Sequence, residues 1–347
     1  MAEATKTASL DAGYATRGLP PPPQISVTTI PMAGLLVDVY GLEELRPSVP
    51  VSCLWLLHPR TRTRARMRDI ASRVVGAYNN NSNNDDDGRG LVALAFDMPN
   101  HGTRVVSEAA NSAWDEGNER HAVDMMGMIK GGRSDMSGLM DVVEGYLERE
   151  VGGHACLGWS LGGHAAWQGW IREERLDAVV VVVGCPDFPG LMRDRAKLAN
   201  LPCGDDGGDV LGSKYFPPCL LRTCAANDPK TILFGESPLP SSSLSLATEE
   251  ERARLRALVD RHVGGKGKKL LLLSGGADVL VPYANTEAFA RALGDLGVDV
   301  RDEVFAGVGH SFAAPMVERA VEFLVGSFGE RVAEAAAVGK DGNRARM

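Results

Sequence analysis

The sequence predicts an α/β fold with a mostly parallel sheet and helices on both faces. Short apolar, β-branched runs alternate with longer amphipathic segments, the pattern of repeated strand–helix units. Most of these runs are continuously apolar, as strands buried on both faces are. The first two runs follow one another without a helix between them, which predicts an antiparallel start to the sheet. The strand candidates are Ile25–Thr29, Leu35–Tyr40, Val51–Leu57, Leu91–Phe96, His154–Trp159, Ala178–Val183, Lys269–Ser274 and Val298–Phe305. Helix candidates are Met67–Tyr78, Ser137–Arg149, Leu161–Arg172, Thr248–Val263, Asn285–Leu296 and Ala314–Ala336.

The segments between these elements set the expected organisation. Residues 1–24 are polar and proline-rich and read as a disordered N-terminal arm. The core is expected from 25–186 and 269–338, with 339–347 as a flexible tail. Residues 187–268 are too long for a simple crossover and read as an inserted cap or lid. Asn79–Gly90 reads as a polar loop insertion, and Ser241–Ser245 as a serine-rich patch within the cap.

Composition excludes several partners. The 347 residues are 44% hydrophobic and 24% charged, with a formal net charge of −8. That acidic balance lacks the basic footprint of a nucleic-acid binder. No apolar run approaches the ~20 residues of a membrane helix, and the first two dozen residues lack the apolar stretch of a secretory signal. The six cysteines, Cys53, Cys156, Cys185, Cys203, Cys219 and Cys224, show no C-x-x-C or metal spacing. A disulfide among the last three stays open, but a reducing, cytoplasmic setting is expected.

The chemistry starts at Gly158-Trp159-Ser160-Leu161-Gly162, a G-x-S-x-G string between a strand and a helix. A serine on such a turn is exposed beside the unpaired N–H groups of a helix N-terminus. It needs a base to take its proton and a carboxylate to orient that base. The expected order is serine, acid, histidine, each in a loop after a strand. Asp278 follows Lys269–Ser274, and His310 follows Val298–Phe305. Asp187, in Gly184-Cys185-Pro186-Asp187, is the rival acid and otherwise a turn residue. The N–H of Leu161 is the expected first oxyanion donor. The second falls to Arg60 or Thr61, because Pro59 has no N–H.

Other residues read as structural. His58 reads as a loop brace and His164 as a packed helix residue. The loop Trp114–His121 reads as solvated, with its overhang of the pocket the lesser reading. Tyr215–Pro218 and Phe188–Met192 either line the pocket or pack the cap. No H-E-x-x-H, P-loop or dinucleotide fingerprint occurs.

These residues resemble the α/β-hydrolase superfamily, in its branch of dienelactone hydrolases and prolyl-oligopeptidase-type catalytic domains. The matching pieces are His58-Pro59-Arg60, Asp97–Gly102, Gly158–Gly163, Gly275–Pro282 and Gly307–His310. The resemblance implies an eight-stranded sheet, a Ser160–Asp278–His310 triad, Leu161 and Arg60 as oxyanion donors, and no metal or organic cofactor. Pro59 stands where the family has glycine. The implied activity is hydrolysis of a small-molecule carboxylic ester, thioester or lactone by a monomer or homodimer. The alternatives are C–C hydrolysis or acyl transfer on the same triad, and a small-molecule binding protein on a hydrolase scaffold.

Overall fold

The computed structural model describes residues 14–15, 18–81, 88–202, 208–235, 239, 248–263 and 267–344. Its strands are β1 (Tyr14–Ala15), β2 (Val27–Met32), β3 (Leu35–Tyr40), β4 (Val51–Leu57), β5 (Gly90–Phe96), β6 (Val151–Trp159), β7 (Leu176–Val182), β8 (Lys269–Gly275), β9 (Val300–Phe305) and β10 (Phe312–Ala313). The helices are α1 (Arg68–Asn81), α2 (His121–Met140), α3 (Val143–Leu147), α4 (Leu161–Arg172), α5 (Phe188–Leu198), α6 (Pro218–Asn227), α7 (Pro229–Phe234), α8 (Glu249–Val263), α9 (Ala284–Asp295) and α10 (Ala314–Arg344).

Eight strands form one sheet in the order β2-β3-β5-β4-β6-β7-β8-β9. As the sequence predicts, β2 and β3 run antiparallel, and β3 meets β5 antiparallel; every later pairing is parallel. Every residue of β4 and β5 is buried, which explains why these strands read as unbroken apolar runs. Successive side chains alternate between two cores. Cys53, Trp55 and Leu57 face the layer holding Trp167 and Trp170 of α4, Leu191 of α5 and Phe289 of α9. Leu54 and Leu56 face Ile70 and Val74 of α1 and Phe323 and Leu324 of α10.

Some elements depart from expectation. The helix predicted over Ser137–Arg149 begins at His121, runs to Met140 as α2, and is followed only by the short α3. Its glycines hide it, yet two of them are there for packing. A Cβ on Gly131 would meet Pro99 at 2.7 Å, and one on Gly132 would meet Met98 at 2.4 Å. The glycines therefore let the turn after β5 rest on the helix.

Between β7 and β8, α5 to α7 were not predicted, although each carries a start signal. Asp187 caps α5 and Asp228 caps α7, each followed by proline in the first turn, and Pro218 opens α6. The serine-rich patch Ser241–Ser245 and Cys203 lie outside the described residues.

At the N-terminus, residues 1–13 and 16–17 also lie outside them. Tyr14–Ala15 pair with Phe312–Ala313 in a two-stranded parallel ladder, and Pro23 sits against α1 where a Cβ on Gly76 would meet it at 2.8 Å. Of the polar loop Asn79–Gly90, the first three residues belong to α1 and 82–87 lie outside the described residues. α10 runs past Ala336 to Arg344, into the stretch read as a tail, and 345–347 lie outside the described residues.

Candidate active site

Ser160 links β6 to α4 with φ +55° and ψ −111°, a left-handed backbone that costs a non-glycine residue on the order of 1–3 kcal/mol. The glycines around it leave room for the turn. A Cβ on Gly158 would lie 2.0 Å from the Gly162 carbonyl oxygen, and one on Gly162 would lie 2.0 Å from the Leu57 carbonyl oxygen. The Ser160 N–H donates to the Val182 carbonyl at 2.9 Å, which ties the turn to β7.

The three residues expected to cooperate meet. Ser160 Oγ lies 2.7 Å from His310 Nε2, and His310 Nδ1 lies 2.7 Å from Asp278 Oδ2. Asp278 Oδ1 accepts the N–H groups of Leu280 at 2.9 Å and Val281 at 3.0 Å. A carboxylate facing Nδ1 places the imidazole proton there, so Nε2 is the atom free to accept from serine. The supporting loops after β8 and β9 are locked to each other, Ala277 N–H donating to the Val308 carbonyl at 2.9 Å. Asp187, the rival acid, instead accepts the Gly190 N–H at 2.9 Å as the α5 cap.

Leu161 is the first residue of α4, so its N–H has no carbonyl one helical turn earlier to bond. The loop Pro59–Arg62 forms part of the cavity wall beside Ser160. Thr61 within it holds φ +62°, a strained value for a β-branched residue. His58 braces this loop. Its Nδ1 donates to the Pro59 carbonyl at 2.8 Å while its Nε2 accepts the Met98 N–H at 2.9 Å. Burial pushes His58 down to about 4, so it stays neutral at pH 7. Asp97 anchors the neighbouring turn, accepting from the Arg64 N–H at 2.9 Å and from the Thr103 N–H at 3.0 Å. His164 is buried against Cys185, its Nδ1 3.1 Å from that carbonyl, and burial pushes it down to about 3.

Ser160 and His310 open into a cavity of about 330 Å³. Here the structure corrects the bland reading of the Trp114–His121 loop, because Trp114, Asp115 and His121 line the cavity. The loop holds that position because Trp114 and His121 stack edge-to-face at 5.3 Å while Trp114 packs on Tyr215 at 6.4 Å. Phe188 and Phe216 pack on each other at 6.1 Å, away from the cavity lining. The wall from α5 and its C-terminus is instead Arg195, Leu198 and Ala199. Sequence reasoning missed Arg195, since no local signal marks which arginine of an unpredicted helix faces a cavity. Among the described residues, no group of three or more metal-ligating side chains converges.

A family model described as the alpha/beta hydrolase family matches residues 83–326. Among solved structures, TT1662 from Thermus thermophilus superposes with a TM-score of 0.51 at 19% identity, over 88% of this chain and 98% of that one. The Pyrococcus furiosus esterase Pf2001 matches with a TM-score of 0.47 at 13% identity, over 88% and 92%. Est1E from Butyrivibrio proteoclasticus, solved with ferulic acid, matches with a TM-score of 0.47 at 15% identity, over 88% and 99%. At 19% identity, the likeness to TT1662 is one of fold. No curated protein matches the sequence.

Proposed function

The chain belongs to the alpha/beta hydrolase family, and we propose that it hydrolyses a carboxylic ester, thioester or lactone of a small molecule through an acyl-enzyme on Ser160. The observation that carries this reading is the unbroken relay from Ser160 Oγ through His310 to Asp278, with 2.7 Å at each link, whose Ser160 and His310 line a cavity. Ser160 Oγ attacks the carbonyl carbon as its proton passes to His310 Nε2. Asp278 holds the imidazole in the required tautomer and offsets the charge it acquires. The oxyanion rests on the N–H groups of Leu161 and Arg60. His310 then gives its proton to the departing oxygen or sulfur. Water attacks the acyl group, losing a proton to Nε2, and the Ser160 hydroxyl is restored as the acid leaves. From the expected cap 187–268, α5 and its C-terminus supply one wall of the site.

The five described cysteines are free thiols, which suits the reducing cytoplasm as the place of this reaction. No helix among the described residues is long and apolar enough to cross a membrane.

A fluorophosphonate probe should label Ser160 alone, and Ser160→Ala should lower kcat on p-nitrophenyl butyrate by at least 10³-fold with the fold intact. Folded protein that fails to label, or a Ser160→Ala variant of unchanged activity, sinks the reading. Hydrolysis in ¹⁸O-water should place one label in the acid, which acyl transfer to an alcohol would not.

A further inference from the structure

We propose that the substrate of Ser160 carries a carboxylate or similar small anionic group, bound within the cavity by Arg195 and Arg60. The inference rests on the serine reading above but draws on different residues.

The cavity that holds Ser160 and His310 is also lined by Arg60, Arg62, Arg66 and Arg195, against the single carboxylate of Asp115. That is a cationic pocket in a chain of net charge −8. Arg62 is turned to the Thr61 carbonyl at 3.1 Å, and Arg66 lies 5.3 Å over the Trp159 ring.

Arg195 is held differently. Its Nε donates to the Leu280 carbonyl at 3.3 Å, and its Nη1 lies 3.2 Å from His121 Nε2 and 3.1 Å from Met125 Sδ. All three partners are uncharged. His121 has Nδ1 3.0 Å from the Ser112 carbonyl, so Nδ1 carries its proton and Nε2 is an acceptor. Burial, followed by the charges of Arg195 and Arg60, pushes His121 down to about 3, which keeps it an acceptor. Arg60 likewise donates to a neutral group, the Asn111 carbonyl.

Neither Arg195 nor Arg60 forms an ion pair with any described residue. Arginines elsewhere in the protein do: Arg64 with Asp97 at 2.6 Å, Arg104 with Asp135 at 2.7 Å, Arg175 with Glu173 at 2.7 Å. The oxygens of Asp278 are taken by His310 and by two N–H groups. The carboxylates nearest Arg60, Glu116 and Asp115, are both exposed and form no ion pair with it, Glu116 accepting the Ala113 N–H instead.

A guanidinium taken out of bulk water without a counter-ion is costly. The cost is tolerable where a ligand supplies the charge, and a fixed guanidinium fork suits a carboxylate in two-point contact. Leu280 and His121 fix Arg195 between the loop of Asp278 and the loop of Trp114, so the cation is in place before substrate arrives. At about 330 Å³, the cavity is at the small end of ligand pockets. A compact ester with one anionic group fits it.

Two matched pairs test this and locate the charge. p-Nitrophenyl hexanoate against the mono-p-nitrophenyl ester of adipate places it on the acyl side, and 4-acetoxybenzamide against 4-acetoxybenzoate places it on the leaving group. The wild type should prefer the anionic member of at least one pair by tenfold or more in kcat/KM. Arg195→Gln should reduce that preference at least tenfold, mostly through KM, and Arg60→Gln should reduce it in the same direction. Equal or better turnover of the neutral member in both pairs overturns the proposal, as does a preference that survives both substitutions. A second arm uses Ser160→Ala protein with adipate or 4-hydroxybenzoate, read by Trp fluorescence. Adding Arg195→Gln should weaken the tighter of the two at least tenfold. Unweakened binding there counts against the arginines whether or not Ser160 is the nucleophile. Fluorophosphonate labelling of the same preparations reports on the serine alone.

Discussion

Asp278 divides its two oxygens between two tasks. Oδ1 accepts the Leu280 and Val281 N–H groups and holds its own loop, while Oδ2 faces His310 Nδ1. Asp278→Asn therefore leaves the loop's acceptor in place and damages only the relay. An amide N–H₂ turned toward Nδ1 forces the proton onto Nε2, where it can no longer accept from Ser160. We expect kcat to fall about 10³–10⁴-fold with KM nearly unchanged and the melting temperature within a few degrees of wild type. Steady-state kinetics beside a thermal melt checks this; a loss below tenfold would remove Asp278 from the relay. That Ser160, Asp278 and His310 come together was legible in the sequence because the proposed chemistry calls for three residue types in a set order after strand ends. Arg195 and His121 were not. They come together only through the packing of α5 against the loop before α2, and no spacing encodes that contact. The positive φ of Thr61 is equally silent, since a threonine in a loop carries no mark of its backbone angle.

The β6–turn–α4 element is specified by steric room as much as by chemistry, and its two consecutive glycines differ. A Cβ at Gly162 meets the backbone of β4, with Leu57 O at 2.0 Å, and that strand is buried in mid-sheet and cannot withdraw. A Cβ at Gly163 meets Val182 O at 3.1 Å and Gly158 O at 3.3 Å, contacts that a few tenths of an ångström relieve. Gly162→Ala should therefore cost at least about 3 kcal/mol, beyond ordinary overpacking. Gly163→Ala should cost about 1 kcal/mol or less, since alanine's helix propensity returns about 1 kcal/mol of any strain. Urea denaturation of the two variants measures the difference, and equal losses would refute the steric argument. The central strands β4, β5 and β8 were legible to within a residue because burial on both faces makes them unbroken apolar runs. By contrast, β2 and β9, exposed on one side, begin two residues later than their apolar patterns suggest, and the two-residue β1 and β10 carry no pattern at all. α2 was obscured because its glycines, two of which seat Pro99 and Met98, suppress helix propensity where packing rewards them. α5 and α7 announced themselves through Asp187 and Asp228 with the prolines that follow. Asp187 reads in the sequence as a rival acid or a turn residue, and Asp228 draws no reading there, so neither helix start was recognised.

At the scale of the molecule, two cores on either side of one sheet leave few places for a buried charge, and the histidines register it. His58, His121 and His164 are all buried. Burial pushes His58 down to about 4, and burial with neighbouring arginine charge pushes His121 and His164 down to about 3, from 6.5. A histidine depressed in this way contributes stability that is present above about 6.5 and lost as pH falls toward the folded value, because the unfolded chain takes up the proton first. Asp228 acts in the opposite sense. Burial lifts its carboxyl from 3.8 to about 7, so its contribution is present at low pH and is lost as pH rises through 7. Near pH 5, His58, His121 and His164 against Asp228 couple unfolding to the uptake of about two protons, each of these histidines weighing on the order of 1–2 kcal/mol. His101, lowered by burial, adds to that uptake, and Asp302, raised by burial, opposes it. Stability should therefore fall from pH 7 to pH 5, and near pH 5 by roughly 2–3 kcal/mol per pH unit. Urea midpoints at half-unit steps measure that slope. A flat or rising profile over the interval would mean that the three imidazoles are not held neutral. The braces of His58 on the Pro59 loop and of His121 on Arg195 would then lose their basis.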